Sequence, residues 1–193
     1  MNANVGMVYP VAAPVSAYTP GTSITYGTGF VVAEAVSASL SWNRADGHFY
    51  GDDVELDSAN GILGYTLDFE PSGLTDEARA YLLGETVSTG EYTIGDAASP
   101  DVGFGYVRVM RTTGSSGVTT SYEGWWFKKL KFGLSSEEAR TKERGMEWRT
   151  PTLNGVGSGV KLDTSGTMRF ADHKTFDTLA AAVAYVNSKA NIS

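Results

Sequence analysis

The sequence has no cysteine and only two histidines, His48 and His173, in 193 residues. The lack of cysteine excludes a disulfide framework, a thiolate metal site and a cysteine nucleophile. Nowhere does the chain approach the roughly 18 uncharged apolar residues that a membrane-spanning helix needs. Residues 1–4 also lack the basic and apolar start of a signal peptide. We therefore predict no enzyme activity, no catalytic or metal-binding residue, no cofactor and no membrane insertion.

Positive charge is scarce in the first half of the chain. The 22 acidic and 15 basic residues give a net charge of −7. Residues 1–101 carry −12 and residues 102–193 carry +5. An acidic chain without a basic tract argues against nucleic-acid binding, which requires several Lys or Arg to neutralise phosphates. The uneven distribution suits head-to-tail self-association, although solvated charge on both halves is the simpler alternative.

A β-strand pattern dominates the rest of the sequence, which fits one domain over residues 1–193. Residues 36–42 and 63–70 alternate apolar and polar side chains, as half-buried antiparallel strands do. The predicted buried faces are Val36, Ala38, Leu40 and Trp42 in the first strand and Leu63, Tyr65, Leu67 and Phe69 in the second. Further candidate strands lie at 104–112, 118–132, 144–153, 159–162 and 167–170, with hairpin turns at 114–117 and 163–166.

Two segments have helical signals. Residues 74–84 offer Thr75 as an N-cap and Gly84 as a stop, with Ala78, Tyr81 and Leu82 predicted to face the sheet. At 175–189 a C-terminal helix is predicted with one apolar face, formed by Phe176, Leu179, Val183 and Val186. Residues 134–143 lack an apolar helical period and are predicted to form a loop.

The connection at 43–61 is far longer than an ordinary hairpin loop of two to five residues. In an extended conformation Asp53, Glu55 and Asp57 would form an acidic side and Val54 and Leu56 an apolar side. A hairpin that docks on another subunit needs an apolar side, whereas a solvated loop does not. Neither the EF-hand spacing of a calcium site nor a defined carboxylate pair is present. The candidate interface residues are Arg44, Asp46, Phe49, Tyr50, Asp52, Asp53, Val54, Glu55, Leu56 and Asp57.

Trp125 and Trp126 are adjacent in a predicted strand, so their rings should face opposite ways. One ring should enter the core, and the other should be exposed or lie at a subunit contact. An exposed ring could also stack on a sugar, which is the less favoured interpretation. Lys129 and Lys131 share a face that either attracts an acidic partner or protects a solvated edge strand. These four residues are the candidate subunit contacts.

Several motifs occur in one order over about residues 30–170. They include Phe-Tyr-Gly-Asp-Asp at 49–53, Leu-Leu-Gly at 82–84, Gly-Trp-Trp-Phe-Lys at 124–128 and Thr-Pro-Thr-Leu at 150–153. In these features the chain resembles the major tail proteins, or tail tube proteins, of long non-contractile-tailed bacteriophages. The resemblance implies a mainly β fold, an antiparallel β-sandwich or barrel of tail-tube type. It also implies a short flanking α-helix and a long protruding loop. The predicted fold further has a C-terminal helix and an N-terminal arm at residues 1–25.

The same resemblance implies a structural role. Such subunits form hexameric rings that stack head to tail around a lumen, through which genomic DNA passes to the host cell without specific binding. The loop at 43–61 would contact the next ring. Expected partners are further copies of the chain and the tail tape-measure, tail-tip and tail-terminator proteins. The expected location is the virion tail, and the host cytoplasm during assembly.

An acidic lumen would repel the DNA phosphates and keep the duplex from adhering. Candidate lumen-facing acids on the polar faces of strands are Glu34, Asp68 and Glu70. The alternative function is a monomeric carbohydrate-binding β-sandwich module, suggested by the tandem tryptophans and the abundant tyrosines.

Overall fold

Antiparallel β-strands make up most of this computed structural model, which confirms the mainly β prediction. It describes residues 2–45, 47–51, 54–59, 61–89, 91–96, 98–114, 117–136 and 150–193, without the side chains of 2, 47–51, 54–59, 135 and 136. The strands are β1 (Asn2–Thr19), β2 (Ser23–Tyr26), β3 (Phe30–Val31), β4 (Ala35–Arg44), β5 (Gly47–Gly51), β6 (Val54–Ala59), β7 (Ile62–Pro71), β8 (Thr86–Ser88), β9 (Glu91–Thr93), β10 (Val102–Gly114), β11 (Gly117–Ser136), β12 (Thr152–Ser158), β13 (Val160–Lys161), β14 (Met168–Arg169) and β15 (Ala171–Phe176). The helices are α1 (Asp76–Ala78), which continues into a π-helical turn at Arg79–Leu83, and α2 (Leu179–Ala190).

Nine strands form one sheet, in the order β2-β1-β10-β11-β12-β7-β4, with β3 paired to β1 and β15 paired to β11. The sheet curls, because β4 at one end of this order contacts β1 near the other end. The 20-residue strand β11 joins two parts of the sheet. Residues 122–127 pair with β15 and residues 130–136 pair with β12, while β10 pairs along the other edge as far as Leu130.

The two faces of this sheet support two separate cores. The inner core lies inside the curl and is centred on Tyr65, Leu67, Phe69, Phe104, Phe127, Leu130 and Phe132. The outer core lies between the sheet and α2 and contains Val11, Ala13, Val107, Trp126, Ala182, Val186 and Ala190. Since alternate side chains of a strand point to opposite faces, Trp126 and Phe127 belong to different cores.

The predicted strands at 36–42 and 63–70 are confirmed as β4 and β7, which pair with each other. Tyr65, Leu67 and Phe69 are fully buried as predicted. The prediction of burial is wrong for two residues, because Val36 is 56% exposed and Leu63 is 68% exposed. Val36 lies where the pairing with β7 shifts register, and Leu63 lies near the start of β7, before its buried stretch.

Most other strand predictions hold, with one displaced strand. Segments 104–112 and 118–132 lie in β10 and β11, and 159–162 and 167–170 contain the paired strands β13 and β14. The strand predicted at 144–153 instead runs from Thr152 to Ser158, and residues 144–149 lie outside the described part. A glycine-rich segment is required there, because a Cβ on Gly157 would lie 2.0 Å from the ring of Tyr65.

Residues 1–25 do not form a separate arm in this structure. They contain β1 and β2, and β1 pairs with β10 over most of its length. The predicted loop at 134–143 is wrong for residues 134–136, because β11 continues to Ser136. Residues 137–143 lie outside the described part of the chain.

The first predicted helix begins and ends as expected. Thr75 Oγ1 accepts a hydrogen bond from the backbone N–H of Ala78 at 3.2 Å, and Gly84 ends the segment with φ of 73°. Ala78 and Leu82 are buried, but Tyr81 is 41% exposed. A π-helix has more residues per turn than an α-helix, so Tyr81 is rotated away from the face that Ala78 and Leu82 share.

The C-terminal helix begins later than its predicted bounds of 175–189. Residues up to Phe176 pair with β11 as β15, and the Thr178 hydroxyl then caps α2 by accepting from the Ala181 N–H at 3.3 Å. Its buried residues are Ala182, Val186 and Ala190. Leu179, predicted on the buried face, is instead 41% exposed.

Candidate functional site

The long connection at 43–61 is a β-hairpin that extends the β4–β7 ladder. The backbone N–H of Ala45 donates to the carbonyl of Gly61 at 2.7 Å, and Gly47 then pairs with Ala59. Strands β5 and β6 form their own two-stranded sheet, which we call the arm. The chain therefore continues past the end of the nine-stranded sheet as one double-stranded element.

The predicted interface residues of the arm are described to different degrees. Arg44 is exposed at the end of β4. Asp46, Asp52 and Asp53 lie outside the described residues. Phe49 and Tyr50 lie in β5, and Val54, Glu55, Leu56 and Asp57 lie in β6, with their backbones described. The extended backbone of β6 has the period of two on which the predicted acidic and apolar sides depend.

A polar face covers the side of β4 and β7 opposite the inner core. The cross-strand pairs are Ser37 with Glu70, Ser39 with Asp68, and Ser41 with Thr66. On the other edge of β7, Asn154 of β12 pairs with Asp68. We call these seven residues the polar face. Their small, mostly uncharged side chains present hydroxyl groups around two carboxylates.

Hydrogen bonds from neutral groups hold the two carboxylates of the polar face. Asn154 Nδ2 donates to Asp68 Oδ1 at 2.6 Å, and Ser37 Oγ donates to Glu70 Oε2 at 3.1 Å. The Thr150 hydroxyl donates to Glu70 Oε1. These donors fix the positions of the carboxylates and add no positive charge. Glu34, the third candidate acid, is exposed just before β4, and its carbonyl accepts from the Ser72 N–H at 2.8 Å.

The tandem tryptophans face opposite sides of the sheet, as predicted. Trp126 is buried in the outer core, which makes the prediction of a subunit contact wrong for this residue. Trp125 is half-buried and has neighbours on both adjacent strands. The His173 ring of β15 stacks on it at 4.6 Å, and the Arg108 guanidinium of β10 lies 4.9 Å from its centroid. These groups approach from strands on opposite sides of β11.

Lys129 and Lys131 lie on β11, which is not an edge strand of the sheet, because β10 pairs with one of its edges as far as Leu130 and β15 and β12 pair with the other. Lys129 Nζ lies 3.3 Å from Asp101 Oδ2 and 5.1 Å from the ring centroid of Tyr18. Lys131 is exposed, opposite Val156 of β12. Of the two lysines, Lys131 is thus the more accessible candidate contact.

An ionic cluster joins α2 to the sheet, and the sequence analysis missed it. Lys128 Nζ donates to Asp172 Oδ2 at 2.6 Å, and Lys189 Nζ donates to the same oxygen at 3.1 Å. Burial alone would raise the pKa of Asp172, but the hydrogen bonds and charges of the two lysines outweigh it and lower the pKa. No local pattern predicts this cluster, since Lys128 sits in a basic run that usually indicates solvent.

Two tyrosines, the half-buried Tyr26 and the fully buried Tyr65, hold the middle of β11 from opposite faces. The Tyr26 hydroxyl donates to the Lys128 carbonyl at 2.8 Å, and the Tyr65 hydroxyl donates to the Lys129 carbonyl at 3.1 Å. Burial raises the pKa of Tyr26 to about 12, and burial raises the pKa of Tyr65 still further. Both bonds lie where β11 changes its partner from β15 to β12.

No protein-family model matches the chain, and no curated protein is significantly similar to it. In the described part of the chain, no helix is long and apolar enough to cross a membrane. The described residues likewise contain no group of three or more His, Asp or Glu side chains that could hold a metal ion.

Proposed function

We propose that this protein is the structural subunit of a bacteriophage tail tube. In this proposal the chain assembles into hexameric rings that stack head to tail around a lumen for genomic DNA. The observation that carries it is the arm, a hairpin that continues the β4–β7 ladder beyond a mainly β subunit. The ordered motifs at 49–53, 82–84, 124–128 and 150–153 point to the same family.

The placement of the arm favours head-to-tail association. It leaves the end of the sheet where Asn43 pairs with Gly64. The opposite end of the same strands is marked by the pairs Ser37–Glu70 and Leu153–Phe69. An element that projects from one end meets a different surface on the next copy. Such a contact between unlike surfaces is heterologous and can repeat without closing, as stacked rings require.

The polar face is the proposed lining of the lumen. Asp68 and Glu70 lie on it, and Glu34 lies near the same end of β4 and β7. Fixed carboxylates repel DNA phosphates, and small hydroxyl side chains offer few groups that would hold the duplex. The surface thus has the negative charge and the small side chains that suit a conduit, whereas a DNA-binding groove is positively charged.

The curled sheet supports the finer fold assignment within this proposal. Contact between β4 and β1 brings the two ends of the strand order together around one inner core, as in a sandwich or barrel of tail-tube type. The proposed partners are other copies of the chain and the tape-measure, tail-tip and tail-terminator proteins. The proposed location is the virion tail, after assembly in the host cytoplasm.

The alternative is a monomeric carbohydrate-binding module. Stacking on a sugar requires an aromatic ring with an accessible face. Trp126 is buried, and Trp125 is approached by His173 and Arg108 from opposite sides of β11. These contacts give no reason to prefer the alternative to tube assembly.

Negative-stain electron microscopy over a concentration series tests the proposal. The native protein should form hollow rings or tubes of uniform diameter. In an arm variant, residues 46–60 are replaced by Asn-Gly, which joins Ala45 to Gly61 where their backbones already hydrogen-bond. This variant should remain folded by circular dichroism but should not form stacked tubes.

The matched control replaces the turn at 163–166, between β13 and β14, by Asn-Gly. It shortens another hairpin without changing the arm and should assemble as the native protein does. Normal tubes from the arm variant would contradict the assigned role of the arm. Native particles that stay monomeric at every concentration, together with quenching of tryptophan fluorescence by oligosaccharides, would favour the carbohydrate-binding alternative.

A further inference from the structure

Helix α2 packs unusually close to the sheet, with mostly small side chains. Ala182, Val186 and Ala190 are its buried residues. The sheet beneath it has glycines, and a Cβ on Gly124 would lie 2.7 Å from Tyr185, whereas one on Gly105 would lie 2.9 Å from Val186. Because apolar stabilisation scales with buried area, the two buried alanines contribute less of it than Val186 does. Polar contacts between α2 and the sheet add to this apolar packing.

The ionic cluster supplies such a contact. Among the salt bridges of the described residues, Asp172–Lys189 is the one that involves α2. Both lysines bond the same oxygen, Asp172 Oδ2, so their ammonium groups are held close together by one carboxylate. The Lys128 side chain is only 8% exposed, compared with 37% for Lys189. Without the carboxylate, a buried ammonium group would lose its partner and would repel the second one.

We propose that α2 is a releasable strap locked by Asp172, so that neutralising this one carboxylate frees the helix while the inner core stays folded. The strap covers the outer core and uncovers Val107 and Trp126 on release. The inner core lies on the other face of the sheet and holds the large aromatic side chains. This inference does not depend on the proposed tube function, because it concerns a contact within one subunit.

The charged and titratable groups around Asp172 set the direction of the pH response. They are Lys128 on β11, Lys189 and Tyr185 on α2, Tyr26 on β2, and His173 and Lys174 beside it on β15. The lysines lower the pKa of Asp172 in spite of its burial. The lock is therefore complete above the ordinary aspartate pKa of about 3.9, and it is lost as pH falls from there through the lowered pKa of Asp172 in the folded protein.

Hydrogen–deuterium exchange of the full-length protein, read by mass spectrometry, tests the strap. In Asp172→Asn near neutral pH, amides of α2 should exchange about tenfold faster or more, because a buried charge has lost its partner. Amides of β7 and β12 should keep their native rates. The matched control is Asp163→Asn, which alters a carboxylate that also has a lowered pKa and bonds Arg169 at 3.0 Å. This control should leave the exchange of α2 unchanged.

A double variant keeps the test decisive if Asp172→Asn fails to fold. Lys128→Met with Asp172→Leu removes both the lock and the buried charge, a replacement that is often neutral for stability. After correction for intrinsic exchange, the native α2 should lose protection as pH falls through the lowered pKa of Asp172. The double variant should show the same corrected exchange rate in α2 near neutral pH and in acid. Three results would overturn the proposal. They are native protection of α2 in acid, a double variant that responds to acid as the native protein does, and exchange of α2 and β7 at the same rate.

Discussion

The inner and outer cores share the strands of one sheet but are packed in opposite ways. The inner core is filled by aromatic rings, with centroids 5.1 Å apart for Phe69 and Phe104 and 5.3 Å apart for Phe104 and Phe132. The outer core has one large side chain, Trp126, and otherwise brings α2 close to the sheet over glycines. Loss of a ring should therefore damage the inner core more than the outer core, whereas added volume at the glycines beneath α2 should damage the outer core.

The largest expected effect comes from emptying the inner core. Phe104→Ala should lower the free energy of unfolding by about 3–5 kcal/mol, because Phe104 is fully buried and packs against three other rings. Urea denaturation followed by circular dichroism measures the change. The comparison variant Phe176→Ala, at a half-buried ring beside α2, should cost clearly less. Equal losses would remove the distinction between the two cores.

Alkaline pH should weaken both cores through their buried tyrosines. Burial raises the pKa of Tyr26 from 10.0 to about 12, so the folded state disfavours the phenolate. Stability from this group is complete below pH 10 and is lost as pH rises toward 12. The loss at the upper end is roughly 2–3 kcal/mol for Tyr26. Urea denaturation across this range should show a smaller decline in Tyr26→Phe, and an identical decline would contradict the assignment.

Added volume should damage the outer core. A Cβ on Gly105 would lie 2.7 Å from the Trp125 carbonyl oxygen and 2.9 Å from Val186. Gly105→Ala should therefore cost about 1–3 kcal/mol in urea denaturation. Gly133→Ala is the control, since nothing lies within 4 Å of its Cβ, and it should change stability by less than about 0.5 kcal/mol. If both variants lose the same stability, the close approach of α2 is not the reason for glycine at position 105.

The smallest expected effect separates the two hydroxyl groups that hold β11. Tyr65→Phe and Tyr26→Phe should each cost about 1 kcal/mol by removing one hydrogen bond to a strand carbonyl. Denaturation of both single variants and the double variant shows whether the two faces act independently. Tyr81→Phe, at a 41% exposed ring, should be close to neutral. A double variant that costs much more than the sum would show that the two faces are coupled.

The parts of the fold that the sequence predicted are those set by local rules. Alternation identified β4 and β7, and a hydroxyl cap and a left-handed glycine marked the ends of the first helix. The bounds of strand β12 were predicted too early in the chain, because glycines usually indicate the end of a strand. Gly157 is needed in this strand because the ring of Tyr65 lies over it. A glycine required by a distant ring has no local signal.

In the candidate site, too, local features could be predicted and contacts between distant residues could not. Asp68 and Glu70 share a face because they are two residues apart in a strand, which the sequence alone indicates. The amide donor to Asp68 belongs to Asn154, 86 residues away, and the partner that locks Lys128 is 44 residues away. Such pairs depend on sheet order, which periodicity does not determine. The acidic and apolar sides of the arm stay a prediction.

Strand β11 also has a mechanical consequence. It pairs with β10 along one edge and with β15 and then β12 along the other, so the two parts of the sheet share one continuous backbone. Tension along the strands is carried by covalent bonds in β11 and loads the flanking ladders in shear. Hydrogen bonds loaded in shear must break together, whereas bonds that are peeled break one at a time. The protein should therefore resist stretching along its strands as a single unit, with β11 carrying most of the force.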